Sequence, residues 1–248
     1  MNNKNLYKIV NLKKTVSTNR YAKDLLQSRS VDDFTVIKAD YQSHGKGHGS
    51  NQWESNAGEN LTFSTITFPD YLEASQQFYL SKAVSVGICD CLGKSGLEAS
   101  IKWPNDIYVG KKKIAGMLIE NSLKGNKIEH TIIGLGFNLN QTEFSSKLPN
   151  PVSVAQVTGK QQNQEEWLNN LVSNISRRLQ LLKAGDLSHM DRAYEEHLFQ
   201  IDQWATYKTN EEYFEGKITG VDEFGQLCVE TRQKGILHFD FKEIAYCL

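Results

Sequence analysis

The sequence predicts an α+β protein in which a mixed β-sheet packs with helices and is followed by a small β-barrel. Residues 34–41, 61–68 and 127–139 show the alternating apolar pattern of strands. Residues 164–182 carry apolar side chains at helical spacing, so we expect a long helix with one buried face. After residue 201, four short β-runs follow one another with turns between them, which is typical of a barrel of roughly 45 residues.

Composition argues against several classes of function. The chain has 248 residues, of which 39% are hydrophobic and 23% charged, as in ordinary globular proteins. A net charge of −1 gives no general attraction for nucleic acid. No run approaches the ~20 apolar residues that span a bilayer. The polar N-terminus lacks the apolar core of a signal peptide, so we expect a cytoplasmic protein. The four cysteines are scattered, and their spacing predicts neither a disulfide nor a zinc site.

A polar run is predicted to open the first helix. Ser17 or Thr18 is suited to the N-cap, and Tyr21, Ala22 and Leu25 then begin an apolar stripe. Capping alone explains such a run in most proteins, so these residues by themselves indicate no ligand.

A glycine-rich loop follows the first predicted strand. Glycines at positions 45, 47 and 49 leave many backbone N–H groups free, and Lys46 and His48 add side-chain donors. A loop of this kind is suited to hold a phosphate or a carboxylate. Its glycine spacing matches neither a Walker loop nor a dinucleotide fingerprint, and a plain flexible surface loop is the alternative interpretation.

The centre of the chain predicts a β-hairpin with a polar turn. Pro104 constrains the backbone, so Asn105 and Asp106 are expected on a turn. Three lysines occupy positions 111–113, and such runs usually face solvent. Lys113 differs because it adjoins an apolar run that contains Ala115 and Gly116, whose small side chains let another group come close to the backbone.

The order of these motifs closely resembles the biotin–protein ligase family, from about residue 6 to the C-terminus. The motifs are Ser17-Thr18-Asn19, Gln42 with Gly45-Lys46-Gly47-His48 and Trp53, Lys102-Trp103-Pro104-Asn105-Asp106, Lys113-Ile114-Ala115-Gly116 and Gly134-Leu135-Gly136-Phe137-Asn138. The resemblance implies a catalytic domain at residues 1–200 that is similar to class II aminoacyl-tRNA synthetases and biotin ligases. It also implies an SH3-like β-barrel at residues 201–248.

The resemblance further implies a biotin–[acetyl-CoA-carboxylase] ligase. Such an enzyme joins biotin and ATP as biotinyl-5′-AMP, with Mg²⁺ on the phosphates, and then biotinylates a lysine of a biotin carboxyl carrier domain. Lys113 matches the catalytic lysine. The positions that match the biotin site are Ser17, Thr18, Asn19, Gln42, Lys46, Gly47, His48, Lys113 and Gly116. The positions that match the nucleotide side are Lys46, Trp53, Asn105, Asp106 and Asn138, and Asp106 is also the candidate metal ligand.

Two other functions stay open at this point. A lipoate or octanoate ligase or transferase shares the implied fold, and a non-catalytic module could use the barrel for binding. The ligase-like pattern begins within about ten residues of Met1, which leaves no room for the helix-turn-helix that some family members carry. We therefore expect a monofunctional enzyme. Edge strands of the sheet suit either a carrier domain or a second copy of the chain, as a homodimer.

The glycine-rich loop departs from the family pattern, because Lys46 and His48 stand where arginines are common. Arginine offers a planar fork to carboxylate and phosphate, whereas lysine is a point charge and histidine is mostly neutral above pH ~6.5. We expect this loop to hold an adenylate loosely. Free biotinyl-AMP released without a carrier should therefore decrease in the double variant Lys46→Arg/His48→Arg. An unchanged release rate would contradict this prediction.

Overall fold

A seven-stranded mixed sheet forms the centre of the computed structural model, which describes residues 7–49, 51–209 and 212–247. Its strands are β1 (Ile9–Leu12), β2 (Thr35–Ala39), β3 (Leu61–Thr67), β4 (Ser100–Lys102), β5 (Asp106–Val109), β6 (Lys112–Lys124) and β7 (Lys127–Phe137). Their order across the sheet is β1-β2-β3-β7-β6-β5-β4. The β1–β2 pair is parallel and the other adjacent pairs are antiparallel, so the predicted mixed sheet is confirmed.

Helices cover both faces of this sheet because successive strand residues point to opposite sides. The helices are α1 (Thr18–Ser28), α2 (Phe78–Lys94), α3 (Val154–Thr158), α4 (Gln164–Lys183) and α5 (Leu187–Glu195). Ile37 and Ile132 pack with α1 in a small cluster, whereas their neighbours Val36 and Ile133 belong to the large core under α2 and α4. No helix in the described part of the chain is long and apolar enough to cross a membrane.

A five-stranded antiparallel sheet forms the C-terminal part. Its strands are β8 (Trp204–Lys208), β9 (Tyr213–Val221), β10 (Leu227–Thr231), β11 (Gly235–Phe239) and β12 (Ala245–Tyr246), in the order β11-β10-β9-β8-β12. The four predicted β-runs are confirmed, and β12 is an addition. Buried residues of this sheet belong to the same cluster as the main core, so the domain boundary near residue 201 stays a prediction.

Two helices end at residues other than those that the sequence pattern predicts. The apolar spacing predicts a helix over residues 189–200, but α5 ends at Glu195. The segment after it pairs instead with β4, since Ile101 N–H donates to His197 O at 2.7 Å and Phe199 N–H donates to Ile101 O at 2.9 Å. The sequence also predicts that Gly93 and Gly96 end α2. The helix continues through Gly93 to Lys94, and Gly96 follows with a φ of +75°.

Helices α2 and α4 approach each other most closely at Gly87. A Cβ atom at this position would lie 2.8 Å from Ile175 Cα and 3.1 Å from Asn174 O, and neither backbone atom can move aside easily. Gly93 in the same helix is a matched position, because a Cβ there would meet no atom within 4 Å.

Gly87→Ala should therefore destabilise the fold by about 1–3 kcal/mol through overpacking. Gly93→Ala should leave the free energy of unfolding unchanged or raise it by about 0.5–1 kcal/mol, because alanine is the better helix former. Urea denaturation of both variants checks this. Equal midpoints for the two variants would contradict the close packing at Gly87.

Candidate active site

A cavity of about 120 Å³ opens beside the start of α1, the glycine-rich loop and the paired strands β6 and β7. The predicted site residues that line it are Ser17, Thr18, Asn19, Gln42, Lys46, Gly47, His48, Trp53, Asn105, Asp106, Lys113 and Gly116. The structure therefore brings together twelve residues that are far apart in sequence. Asn138 is the predicted residue that does not line this cavity.

Two glycines form the floor of the cavity. Gly116 on β6 lies opposite Gly136 on β7, so neither strand raises a side chain at this point. The indole of Trp53 lies across them, and a Cβ at Gly136 would overlap its ring. Its buried Nε1 atom has no hydrogen-bond partner among the described residues. Trp53 thus supplies a flat apolar wall with one unused donor.

A buried polar network forms the other end of the cavity. Ser17 has the backbone conformation of an N-cap but makes no capping bond with its side chain. Thr18 N–H and Thr18 Oγ1 both donate to Gln42 Oε1, at 2.7 and 3.1 Å. Ser64 Oγ lies 2.7 Å from Thr18 Oγ1 and 2.6 Å from Asn19 Oδ1. Capping alone does not explain these residues, because their side chains bond to each other.

Ser64 is a site residue that the sequence analysis missed. It is fully buried on β3, where each residue of the strand is buried and polar residues are interleaved with apolar ones. A buried hydroxyl needs a partner. A polar residue within a buried strand therefore indicates a hydrogen-bond partner. The sequence does not identify that partner, because it depends on how α1 packs against β3.

An exposed ion pair orients Asn19 from outside. Asn19 Nδ2 donates to Glu120 Oε2 at 2.7 Å, and Lys23 Nζ lies 2.6 Å from Glu120 Oε1. Burial by itself would raise the pKa of Glu120. The hydrogen bonds from Lys23 and Asn19, with the charges of Lys23 and Lys46, outweigh burial and hold that pKa below its ordinary value of 4.5.

Lys113 points toward Asp106 at the junction of two cavities. Lys113 Nζ lies 2.6 Å from Asp106 Oδ1, and both side chains are partly buried. A β-bulge between β5 and β6 places Lys113, not Ile114, opposite Tyr108. Bulges change the direction in which a side chain points. Lys111 and Lys112 are exposed, so the three consecutive lysines differ in environment.

The turn before Asp106 is tied to the sheet. Asn105 Nδ2 donates to Met117 O at 2.8 Å, and Met117 N–H donates to Asn105 O at 2.9 Å. The sequence predicts both Asn105 and Asp106 on this turn. Asn105 lies there, but the prediction is wrong for Asp106, which is the first residue of β5.

A second cavity of about 420 Å³ adjoins the first and carries three lysines, Lys102, Lys113 and Lys147. Burial lowers the pKa of Lys102, and the charge of Asp106 opposes that shift only in part. Asn138 lines this second cavity. Its amide nitrogen donates to Val152 O at 3.1 Å and Lys113 O at 3.4 Å, so it also holds the chain around Lys113.

The glycine-rich loop is closed on itself and against the barrel. Gly47 N–H donates to Asn51 O at 2.8 Å, and Ser50 lies outside the described residues. The His48 ring meets the Phe241 ring edge-on, with centroids 5.3 Å apart. Phe241 also lies 5.1 Å from the Trp103 ring. Phe241 is a second residue that the sequence analysis missed, because no pattern links it to the loop.

Asp106 has the surroundings of a cation ligand that is shared with a substrate. It lines both cavities, and its carboxylate already faces the Lys113 ammonium. Mg²⁺ commonly binds through one or two carboxylates together with substrate phosphates. A single aspartate beside a lysine-rich cavity fits that pattern, and its role as a metal ligand stays a prediction.

Comparison with known proteins gives consistent matches. The model of the biotin/lipoate A/B protein ligase family matches residues 12–138, just over half of the chain. The bifunctional ligase/repressor BirA of Bacillus spizizenii is 29% identical over 224 residues, covering 89% of this chain and 68% of that protein. The biotin–[acetyl-CoA-carboxylase] ligase of Paracoccus denitrificans is 27% identical over 225 residues, covering 87% and 91%. The biotin protein ligase of Aquifex aeolicus in complex with biotin and ATP has a TM-score of 0.79 at 26% identity, covering 96% of this chain and 97% of that one.

The lowered pKa of Glu120 predicts a pH-dependent stability. Its ionised form is favoured by folding, so its contribution is complete above the ordinary pKa of 4.5 and is lost as the pH falls through the folded value. Glu120→Gln should therefore lower the free energy of unfolding by about 1 kcal/mol near neutral pH and by much less at an acidic pH below the lowered pKa of Glu120. Urea denaturation at both pH values measures the difference. Glu143→Gln, at an exposed position, is the control and should change neither value.

Proposed function

Because the chain belongs to the biotin/lipoate A/B protein ligase family, we propose that it is a biotin–protein ligase. A carboxylate oxygen of biotin attacks the α-phosphorus of ATP, and the bond to the β-phosphate breaks to release pyrophosphate. The amine of a lysine on a carrier domain then attacks the acyl carbon of biotinyl-5′-AMP. AMP leaves, the amine loses its proton, and an amide remains. The observation that carries this proposal is the position of Lys113 between a small polar cavity and a larger cavity with three lysines.

Lys113 supplies the positive charge that the first step requires between its two anionic substrates. A carboxylate and a triphosphate repel each other, and negative charge accumulates between them as the new P–O bond forms. A cation that is already positioned at that point stabilises the transition state more than water does. Lys113 lines both cavities, and its ion pair with Asp106 holds the ammonium in place before the substrates bind.

The polar network matches the needs of the biotin head. The ureido group of biotin carries two N–H donors and one carbonyl acceptor, and it requires several partners when it is buried. Gln42 Oε1 accepts both bonds from Thr18, so the Gln42 amide nitrogen is the atom that remains to donate. The Ser17 side chain is buried, makes no capping hydrogen bond and lines the same cavity. These groups support binding of the polar end of biotin here.

The second cavity suits the phosphates of ATP. Lys102 and Lys147 join Lys113 there, and Asn138 is the predicted nucleotide residue on its wall. Asp106 would hold Mg²⁺ together with phosphate oxygens. That ion would neutralise charge on the pyrophosphate as it leaves. Trp53 lines both cavities, as do Asp106 and Lys113.

The glycine-rich loop protects the intermediate. A mixed anhydride such as biotinyl-AMP is hydrolysed by water, so the loop has to exclude water until the carrier docks. The bond from Trp53 N–H to Gly45 O and the packing of His48 on Phe241 support a closed position of the loop.

The acceptor follows from the family and from the relatives. We propose the biotin carboxyl carrier domain of acetyl-CoA carboxylase, which corresponds to the activity for which the Paracoccus denitrificans relative is named. A cytoplasmic site for this reaction and a homodimer through an edge strand stay predictions. Lipoate or octanoate transfer is the second candidate. An extended apolar acid would gain little from the network of Thr18, Gln42 and Ser64, so that network favours biotin.

Mass spectrometry of a carrier domain tests the proposal. After incubation with biotin and MgATP, the acceptor should gain one biotinyl group, whereas lipoate with MgATP should give little or no product. Lys113→Gln should lower the rate at least ~10²-fold, because it removes a positioned charge from the transition state. Lys111→Gln is the matched control at an exposed neighbour and should keep the rate. Modification by lipoate alone would support the second candidate, and no product with either acid would support a role for the chain as a binding module. An unchanged rate in Lys113→Gln would contradict the catalytic role of Lys113.

A further inference from the structure

Three side chains with metal-binding atoms meet on the barrel, and none of them lines the two cavities described above. Cys228 on β10 and His238 on β11 are direct cross-strand partners. Asp222 lies at the start of the turn between β9 and β10. One ligating atom from each residue lies within 4.8 Å of the other two, and among the described residues this is the one such group of three. We call it the barrel cluster.

The three ligand atoms of the barrel cluster converge on one point. His238 Nδ1 lies 3.0 Å from Asp222 Oδ2 and 3.6 Å from Cys228 Sγ. If Nδ1 carries a proton, it donates to the carboxylate, and the Cys228 thiol can donate to Gln226 O at 3.8 Å. If Nδ1 lacks a proton, it can accept from the thiol but then faces the carboxylate lone pairs. In either case an oxygen and a sulfur atom lie beside one ring nitrogen, which is the arrangement that a shared cation requires.

The spacing of the donors agrees with tetrahedral coordination. Zinc bonds of about 2.3 Å to sulfur and 2.0–2.1 Å to nitrogen, at the tetrahedral angle, place those two donors about 3.5 Å apart. The observed separation of Sγ and Nδ1 is 3.6 Å. For oxygen and nitrogen the same geometry gives about 3.3 Å, and the observed separation of Oδ2 and Nδ1 is 3.0 Å. The ion therefore needs only small side-chain shifts to enter.

The carboxylate of the barrel cluster is already held in place. Asp222 Oδ1 accepts hydrogen bonds from the backbone N–H groups of Phe224 and Gln226, at 3.0 and 2.9 Å. Outer hydrogen bonds of this kind orient metal ligands. The His238 side chain is 49% exposed, which leaves a path for an ion and room for a water molecule as a fourth ligand.

We propose that Asp222, Cys228 and His238 form a binding site for a divalent transition metal ion of the Zn²⁺ or Co²⁺ type. A sulfur, a nitrogen and an oxygen donor select such an ion over Mg²⁺ and Ca²⁺, which prefer oxygen ligands. Binding converts the Cys228 thiol to a thiolate and releases its proton to solvent. The site is independent of the proposed ligase activity.

The position of the barrel cluster predicts a gain in stability. The same turn carries Gly225, whose carbonyl accepts a hydrogen bond from Trp103 Nε1 at 3.0 Å. An ion at Asp222 would link this turn to β10 and β11. Because the unfolded chain lacks the assembled site, Zn²⁺ should raise the Tm of the protein.

Titration of metal-free, tag-free protein with Co²⁺ and Zn²⁺ tests the proposal. We expect one Co²⁺ per chain with a thiolate-to-cobalt charge-transfer band, displacement by Zn²⁺, and a higher Tm. Cys228→Ser and His238→Asn should each weaken binding at least ~10-fold, since even outer-shell substitutions cost about 10–100-fold. In Asp222→Asn the amide oxygen can still accept the hydrogen bonds that hold the turn, but the carboxylate ligand is lost. This variant should also bind metal more weakly, which shows that the carboxylate itself is a ligand and that the effect is not due to a disordered turn.

Cys247→Ser is the matched control, because Cys247 is an exposed cysteine outside the barrel cluster. This variant should bind like the unaltered protein, and melting curves without metal should show that each variant is folded. The proposal is overturned if the unaltered protein shows no thiolate band. It is also overturned if Cys228→Ser binds Co²⁺ as tightly as Cys247→Ser does.

Discussion

The pairing of β6 with β7 is the constraint on which the candidate site depends. Its register sets Gly116 opposite Gly136, which leaves a flat area of backbone where Trp53 can lie. A slip of one residue would turn every side chain to the other face and would bring Met117 or Leu135 to this point. The bulge at the β5–β6 pair then turns Lys113 toward Asp106. The floor and the wall of the cavity thus depend on the β6–β7 register, and the position of the Lys113 ammonium depends on the β5–β6 bulge.

A second constraint is that buried polar groups must find partners. An unpaired buried hydroxyl or amide costs about 1–3 kcal/mol. Thr18, Asn19, Ser64 and Gln42 satisfy one another at the edge of an otherwise apolar core. Such a network holds its members in fixed positions before any ligand binds. It therefore favours a ligand whose polar atoms match the donors and acceptors that remain.

The barrel takes part in the site through aromatic and backbone contacts. Trp103 donates to Gly225 O, and its ring packs against Phe241, which in turn meets His48 of the glycine-rich loop. The turn that carries Trp103 and the glycine-rich loop thus both contact residues near the C-terminus. A metal ion in the barrel cluster would act on this same turn, through Asp222.

The sequence alone predicts the strands and helices with clear periodicity, the family and thirteen site residues, of which twelve line one cavity in the folded chain. These predictions depend on local patterns and on the order of motifs, and both can be seen in the linear sequence. The tertiary structure sets the features that depend on contacts between segments far apart in sequence. Helix α5 ends early because residues 197–199 bond to β4, and Ser64, Glu120 and Phe241 join the site through packing of distant segments. The spacing of the cysteines indicated no metal site, yet a cross-strand pair and a turn place Cys228 beside His238 and Asp222. Sequence separation carries no information on such distances, because strand register and turn geometry set them only when the chain is folded.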